Sequence, residues 1–250
     1  MTSPRYGTLL AGGAESLGGS CLPSLLGPDA PAVCGAGRAL LSAIPPDPTV
    51  VVPMTLGREP ELPDVTAQAL RWAARGRTTG DLLLARPLAD SGHMVGWLRG
   101  AIVHARFDTP ATTAVLLVAP AIGPEPDAEL FRVARLVRQY TPVRWVEVAL
   151  TGGDPDVDEG VERCRALGAE EVVLLPASFA PAPAHAEART LGTVLGRASL
   201  TTLIDRRAAE AVCRWSSHRD DGLARRTPHT HTHEPRRSAE RLKERHTHVG

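Results

Sequence analysis

The sequence predicts an α/β fold of two similar lobes, each a mainly parallel sheet flanked by helices. First, a β-branched strand that ends in proline occurs twice, as TVVVP at 49–53 and as EVVLLP at 171–176. Second, strand and helix patterns alternate in both halves, as they do where helices connect parallel strands. Third, the 250 residues are 43% hydrophobic, which is sufficient for large cores. We therefore expect one lobe at 1–108 and a second at 109–215.

The first half contains three strand patterns and three helix patterns. They are strands at 7–12, 49–53 and 81–88 and helices at 37–44, 63–76 and 93–105. The helix that starts near Pro63 has apolar residues at helical spacing, and Gly76 supplies its end. The stretch 12–35 is rich in Gly, Pro and Ser, and this composition favours a loop.

The second half repeats this order of elements. Its strands are at 113–118, 144–149 and 171–176, and its last helix runs from Leu200 to Trp215. We expect Asp154 to cap the helix between the second and third strands, with Pro155 at the first helical position and Gly168 at its end. The repeat predicts parallel strands joined by right-handed crossovers in both halves.

The chain changes character after Ser216. Residues 216–250 contain almost no apolar side chains, so we expect a disordered tail that cannot bury enough surface to offset its ordering entropy. His229, His231 and His233 alternate with threonine there, and histidine-rich tracts bind divalent metals through neutral imidazole. Weak metal binding and a merely solvated polar tail are both open interpretations.

Composition argues against several classes of function. The formal net charge is zero and the excess of basic residues is confined to the tail, so nucleic acid is not an expected partner. No apolar run reaches the about 20 residues of a membrane span, and the N-terminus lacks a secretion signal. The four cysteines contain no CxxC pair, which argues against a disulfide framework or a thiolate zinc site. These features predict a cytoplasmic protein of undetermined oligomeric state.

Three segments carry a resemblance to a known family. They are LLVAPAIGPEPDAELFRVARLVRQ, the later VERCRALGAEEVVLLPASFA, and VVVPMTLG in the first half. Together they resemble the sirohydrochlorin cobaltochelatases of the CbiX type, which act in cobalamin biosynthesis, in the two-half form of that family. The resemblance covers residues 7–213, roughly, as judged by the repeat. It implies two class II chelatase-like lobes that face a cleft for a planar tetrapyrrole.

The resemblance also implies a lyase that inserts Co²⁺, or Fe²⁺ or Ni²⁺ in relatives, into a tetrapyrrole without an organic cofactor. Such a site must ligate the metal and remove two pyrrole protons, and imidazole suits both tasks. The histidine that the family has after its opening strand is replaced here by Gly12 or Gly13, and by Pro120 in the second half. His185 is then the candidate catalytic residue and metal ligand, with Glu187 as a second ligand.

Three further residues are candidates for binding the substrate. Arg58 and Arg86 follow strands, where bidentate contacts would hold the carboxylates of a sirohydrochlorin-like molecule. His93 starts a helix from which it would face the cleft of the first lobe. The alternatives are solvated surface arginines and a helix-end histidine.

Two functions are compatible with these residues. One is a divergent chelatase that delivers Co²⁺ through His185, a role that requires His93 and His185 to face one cleft. The other is a catalytically degenerate homologue that binds metal or tetrapyrrole, with ligands from the tail. An unrelated small-molecule α/β enzyme is disfavoured because the sequence has no phosphate loop, nucleophile elbow or dinucleotide fingerprint.

Overall fold

The structure, a computed structural model, describes residues 6–224 and contains two four-stranded parallel sheets. The strands are β1 (Gly7–Gly12), β2 (Ala32–Gly35), β3 (Thr49–Met54), β4 (Leu82–Leu84), β5 (Thr113–Pro120), β6 (Trp145–Thr151), β7 (Glu171–Pro176) and β8 (Arg189–Thr190). The first sheet has the order β2-β1-β3-β4 and the second has the order β6-β5-β7-β8. All neighbouring strands are parallel. The same order in both sheets confirms the predicted α/β fold of two similar lobes.

Seven α-helices flank the sheets in the described part of the chain. They are α1 (Leu22–Leu26), α2 (Arg38–Ala43), α3 (Leu62–Ala73), α4 (Ser91–His104), α5 (Pro124–Gln139), α6 (Val157–Ala166) and α7 (Arg197–His218). Apolar residues of α4, α5 and α7 form one core between the two sheets. The outer faces are covered by α3 on the first sheet and by α6 on the second. None of the described helices is both long enough and apolar enough to cross a membrane.

The central strands are buried along their whole length, as the continuous apolar runs in the sequence predict. All six residues of β3 and all eight residues of β5 are buried. Helices cover both faces of each sheet, so these strands show no alternation of apolar and polar residues. Because both faces of the two proline-ended strands are buried, their sequences are continuous apolar runs, and these runs make the repeat recognisable.

The stretch 12–35 is not the loop that its composition favours. It contains a one-turn 3₁₀ helix at Ala14–Ser16, then α1, then β2. In β2, Val33 and Cys34 pair with Leu10 and Ala11 of β1. A tertiary partner therefore determines this short edge strand, and local propensity does not reveal it.

The last helix returns to the first lobe. Arg214 on α7 donates a hydrogen bond to Leu84 O, and Leu84 N–H donates to Asp221 O at 2.9 Å. Leu223 is buried in the outer core of the first sheet. The predicted boundary at 215 therefore falls inside α7, and the predicted tail from 216 begins too early because its first residues pack on β4. Residues 225–250 of that tail lie outside the described residues.

The cap of α6 is Asp156 and not Asp154. The Asp156 side chain accepts the Glu159 N–H at 2.9 Å. Pro155 precedes the helix, and its carbonyl accepts the Leu150 N–H at 2.7 Å. Because Pro155 belongs to this turn, the helix begins two residues later than predicted.

Candidate functional site

The carboxyl ends of the strands in both sheets meet at the junction between the lobes. Phe179, after β7, donates its N–H to the carbonyl of Glu15, after β1, at 3.1 Å. Arg58, after β3, donates from Nη2 to Pro120 O at the end of β5, also at 3.1 Å. Ligands of open α/β sheets bind at this edge, so the junction is the candidate site.

Glu15 is a fully buried carboxyl group at the centre of this junction. Its Oε2 accepts hydrogen bonds from the Thr55 hydroxyl and, at 2.9 Å, from Leu56 N–H. Its Oε1 has no hydrogen-bond partner within residues 6–224. Burial raises the pKa of Glu15 to about 7, and the nearby Glu59 carboxylate adds to the rise. Glu15 therefore changes charge near neutral pH.

Glu59 lies in the loop after β3 and binds the loop after β1. Its carboxylate accepts the N–H groups of Ala14 at 2.8 Å and of Glu15 at 2.7 Å. These are the first N–H groups of the 3₁₀ turn, which have no partner inside the turn. The loops after β1 and β3 are therefore joined by two carboxyl groups, each bound by the other loop.

Arg58 joins the two lobes. Its side chain is fully buried, and its Nη2 lies 2.7 Å from Asp127 Oδ1 in the first turn of α5. Its Nε donates to Pro126 O at 3.2 Å, whereas Nη1 has no partner among the described residues. The Arg58 side chain exposes no surface to a ligand in this arrangement, so its role as a substrate clamp stays a prediction.

A small apolar cavity lies beside Glu15. It is lined by Leu25, Leu56, Ser178, Phe179, Thr193, Val194, Leu195 and Leu200. Leu56 and Phe179 also supply the backbone N–H groups that bind Glu15. The cavity volume is ≈ 10 Å³, which is room for about one water molecule. This closed junction is therefore too small for a tetrapyrrole.

The junction also lacks a set of metal ligands. Within residues 6–224, no three His, Cys, Asp or Glu side chains lie close enough to hold a metal ion together. The carboxyl groups of Glu15 and Glu59 bind backbone N–H groups, and Asp127 binds Arg58. The carboxyl groups at this edge of the sheets are therefore held by hydrogen bonds and by the buried Arg58 guanidinium.

Comparison with known proteins gives one curated relative and several solved structures of low sequence identity. A scan against protein-family models gives no match. The sirohydrochlorin cobaltochelatase of Priestia megaterium is 41% identical to this chain over 73 residues. Over these 73 residues the chain is similar to a sirohydrochlorin cobaltochelatase. The matched segment is 28% of the chelatase-like chain and spans 24% of the length of that relative. The predicted resemblance to this family is supported over the matched segment, and the chain spans about a quarter of the length of the relative.

Two solved chelatase structures align with this chain at low sequence identity. SirB from Bacillus subtilis with Fe³⁺ has a TM-score of 0.49 and 11% identity, covering 86% of the chelatase-like chain and 98% of SirB. CbiX, the terminal enzyme for biosynthesis of siroheme in denitrifying bacteria, has a TM-score of 0.43 and 15% identity, covering 80% and 97% of the two chains.

The two glycines after β1 have no room for a side chain in the chelatase-like chain. A Cβ on Gly12 would lie 2.4 Å from Gly19 Cα. A Cβ on Gly13 would lie 2.3 Å from Glu59 Oε2. The position that the family resemblance gives to a histidine is therefore filled by the 3₁₀ turn and the Glu59 carboxylate.

We expect Gly12→Ala to lower the free energy of unfolding by about 1–3 kcal/mol, because the methyl group would overlap the backbone of Gly19. Urea unfolding followed by tryptophan fluorescence measures this change. Gly96→Ala is the matched control, since no atom lies within 4 Å of its added Cβ. Gly96 is in α4, where alanine stabilises a helix by about 0.5–1 kcal/mol. An unchanged stability of Gly12→Ala would show that the turn adapts to a side chain.

Both ring nitrogens of His185 have partners in the chelatase-like chain. Nδ1 accepts the Glu187 N–H at 3.1 Å, and Nε2 lies 3.2 Å from Asp158 Oδ1. The neutral ring therefore carries its proton on Nε2. A metal at His185 would have to displace one of these partners, so its role as catalytic base and ligand stays a prediction.

The two histidines predicted to share a cleft belong to different surroundings. His93 is exposed on the first turn of α4, where Nδ1 lies 2.7 Å from Oδ1 of the helix cap Asp90. The helix that carries His93 packs into the core between the sheets. His185 lies between Ala182 and Ala188, which pack against the outer core of the second sheet. No contact among the described residues joins the two histidines.

The remaining candidate residues are not brought together at the junction. Arg86 is exposed after β4 and stays a predicted substrate contact. Glu187 is exposed, and its carbonyl accepts a hydrogen bond from Arg165. Three predicted metal ligands lie outside the described residues, namely His229, His231 and His233.

Glu15 is the important residue that sequence analysis missed. It lies in a stretch whose Gly, Pro and Ser content favours a surface loop. A useful signal was available, because Glu15 comes three residues after the end of the apolar strand predicted at 7–12. Charged groups at such strand ends face the functional edge of a parallel sheet.

Proposed function

We propose that this chelatase-like chain is a metal- or tetrapyrrole-binding protein of tetrapyrrole biosynthesis that does not insert metal at the junction between its lobes. The observation that carries the proposal is the buried ion pair of Arg58 and Asp127 at the strand ends. This pair, with Glu15 and Glu59, fills the place where the family resemblance puts a cleft.

The chemistry of the junction supports the absence of insertion there. A guanidinium stays positive at all working pH values, and it repels a dication more strongly inside a protein than in water. Metal insertion also needs a base that reaches two pyrrole protons. Glu15 has a suitable pKa of about 7, but its side chain exposes no surface to a substrate.

Metal binding is proposed to reside in the tail. His229, His231 and His233 alternate with threonine, a spacing that allows several imidazoles to share one ion. Co²⁺ is the metal proposed first, because the relative of Priestia megaterium is a cobaltochelatase. Ni²⁺ and Fe²⁺ are the other candidates, since imidazole binds all three. The proposed location is the cytoplasm, with neither nucleic acid nor membrane as a partner.

An anaerobic absorbance time course with sirohydrochlorin and Co²⁺ tests the proposal. We expect the full chain to give the same insertion rate as Co²⁺ and sirohydrochlorin without protein. Equilibrium dialysis of Co²⁺ should show binding by the full chain, and loss of that binding when His229, His231 and His233 are all changed to Ala. His185→Ala is the matched control, because it removes a histidine in the described part of the chain and should keep the metal.

The two measurements separate the two functions that the sequence left open. Accelerated insertion that His185→Ala abolishes would establish a chelatase and overturn the proposal. Retention of Co²⁺ by the triple variant would overturn the assignment of the metal site to the tail. A shift of the sirohydrochlorin absorbance on mixing with protein alone would identify the tetrapyrrole as a ligand.

A further inference from the structure

The outer face of α3 carries an unusual order of residue types. Val65, Gln68 and Trp72 of α3, with Glu61 at its N-cap and Arg75 just after its C-cap, follow one another at spacings of three or four residues. They therefore form one stripe along the helix and its two ends. Val65 is 41% exposed and Trp72 is 59% exposed. The opposite face of α3 packs on the first sheet. The stripe therefore points away from the protein and runs for about 20 Å.

The residue types of the stripe are complementary to those of a second copy of the stripe that runs antiparallel to it. It begins with an acidic residue and ends with a basic one, and Gln68 lies at its centre. When two such helices cross about a twofold axis at Gln68, Glu61 faces the partner's Arg75. In the same arrangement Val65 faces the partner's Trp72. A twofold interface needs this property, because one surface must match its own copy.

A contact within the stripe holds the Trp72 ring in place, and a neighbouring helix adds exposed apolar surface. The guanidinium of Arg75 lies 4.2 Å from the centroid of the Trp72 ring, which holds the ring against the end of the helix. The neighbouring helix α2 carries Leu41, which is 41% exposed. Aromatic and arginine side chains of this kind are enriched in the centres of protein interfaces.

The helix that covers the outer face of the second sheet lacks these features. On α6, which covers the outer face of the second sheet, the exposed positions include Asp158, Glu162, Arg163 and Arg165. These charged residues are typical of a solvated helix. The apolar stripe on α3 is therefore not a general property of the outer helices in this fold.

We propose that two copies of this chain associate through α3, antiparallel about a twofold axis at Gln68. The charge complementarity of Glu61 with the partner's Arg75 sets the direction of the pair. Burial of Val65 and Trp72 provides the main favourable contribution. This inference does not depend on the proposed function.

Sedimentation velocity of the full chain, from about 1 to about 300 µM, tests the proposal in the affinity range expected for a small interface. We expect a monomer–dimer equilibrium whose dissociation constant rises about tenfold or more in Trp72→Ala. Tyr140→Ala is the matched control. Tyr140 is a 57% exposed aromatic residue near the end of α5 with Arg99 over its ring, so its loss should leave the equilibrium unchanged.

Charge exchange tests the direction of the pair. Glu61→Arg and Arg75→Glu should each weaken the dimer about tenfold or more, because each places like charges opposite one another. The double variant should restore the parent value, since the two charges are then complementary again. These side chains are exposed, so circular dichroism should show a folded chain in every variant. Each charge reversal at an end of α3 opposes the helix dipole and should lower the free energy of unfolding by at most about 1 kcal/mol. A chain that is monomeric at every concentration, or a dimer unaffected by these changes, would overturn the proposal. A monomer that binds only a different protein would overturn it as well.

Discussion

Arg58→Met is expected to lower the free energy of unfolding by about 3–5 kcal/mol, because it breaks a buried ion pair from one side. The Asp127 carboxylate would keep only the N–H groups of Ile122 and Gly123. Two carbonyls, those of Pro120 and Pro126, would lose their side-chain donor. Urea unfolding at constant pH, followed by tryptophan fluorescence, measures the change.

The control for this prediction is an exposed ion pair of the same chemistry. Arg163 and Glu159 lie one turn apart on α6, with an N–O distance of 2.5 Å and side chains 56% and 44% exposed. Solvent screening limits such a pair to about 0.3–0.5 kcal/mol, so Arg163→Met should change little. If Arg58→Met cost as little as Arg163→Met, the junction between the lobes would not depend on the ion pair.

The second large effect concerns pH. Because the pKa of Glu15 is about 7 in the folded chain, against an ordinary value of 4.5, the folded state binds this proton more tightly than the unfolded state. The stabilisation is fully present below pH 4.5 and is lost as the pH rises through about 7. The loss is about 3 kcal/mol, at about 1.4 kcal/mol for each unit of pKa difference.

Glu15→Gln should remove this dependence, because the amide stays neutral and its oxygen still accepts from Thr55 and Leu56. Urea unfolding at several pH values between about 5 and 8 should give a falling stability for the parent and a much flatter one for Glu15→Gln. Glu162→Gln, at an exposed position of α6, should follow the parent. Parallel curves for the parent and Glu15→Gln would show that another group controls the pH response.

The regular elements of this fold were predictable because their periodicity is local. The strands at 49–53 and 171–176 are continuous apolar runs, and both proved to be buried in parallel sheets. The edge strand β2 gave no such signal, since its four residues are only partly buried and depend on pairing with β1. The Gly, Pro and Ser content around β2 favours turns, so the local sequence does not indicate this strand. Its formation depends on pairing with β1.

The candidate site was less predictable because its contacts join distant parts of the chain. Glu15 binds Thr55, which is 40 residues away, and Arg58 binds Asp127, which is 69 residues away. A strand-end arginine is equally consistent with binding a substrate carboxylate and with binding a partly buried aspartate of the other lobe. Only the packing of the second lobe against the first distinguishes these roles, and it removes Arg58 from contact with solvent.

The return of α7 to the first lobe has a consequence for folding during synthesis. Leu84 in β4 is bound by Arg214, 130 residues later, and Arg71 binds the Leu223 carbonyl, 152 residues later. A ribosome adding about 5–20 residues per second needs on the order of ten seconds to cover that interval. During this time the first sheet has an uncovered apolar face and an edge strand without its final partners. The two lobes, although each repeats the same strand order, therefore complete their folding together, and contacts of such long sequence separation slow that step.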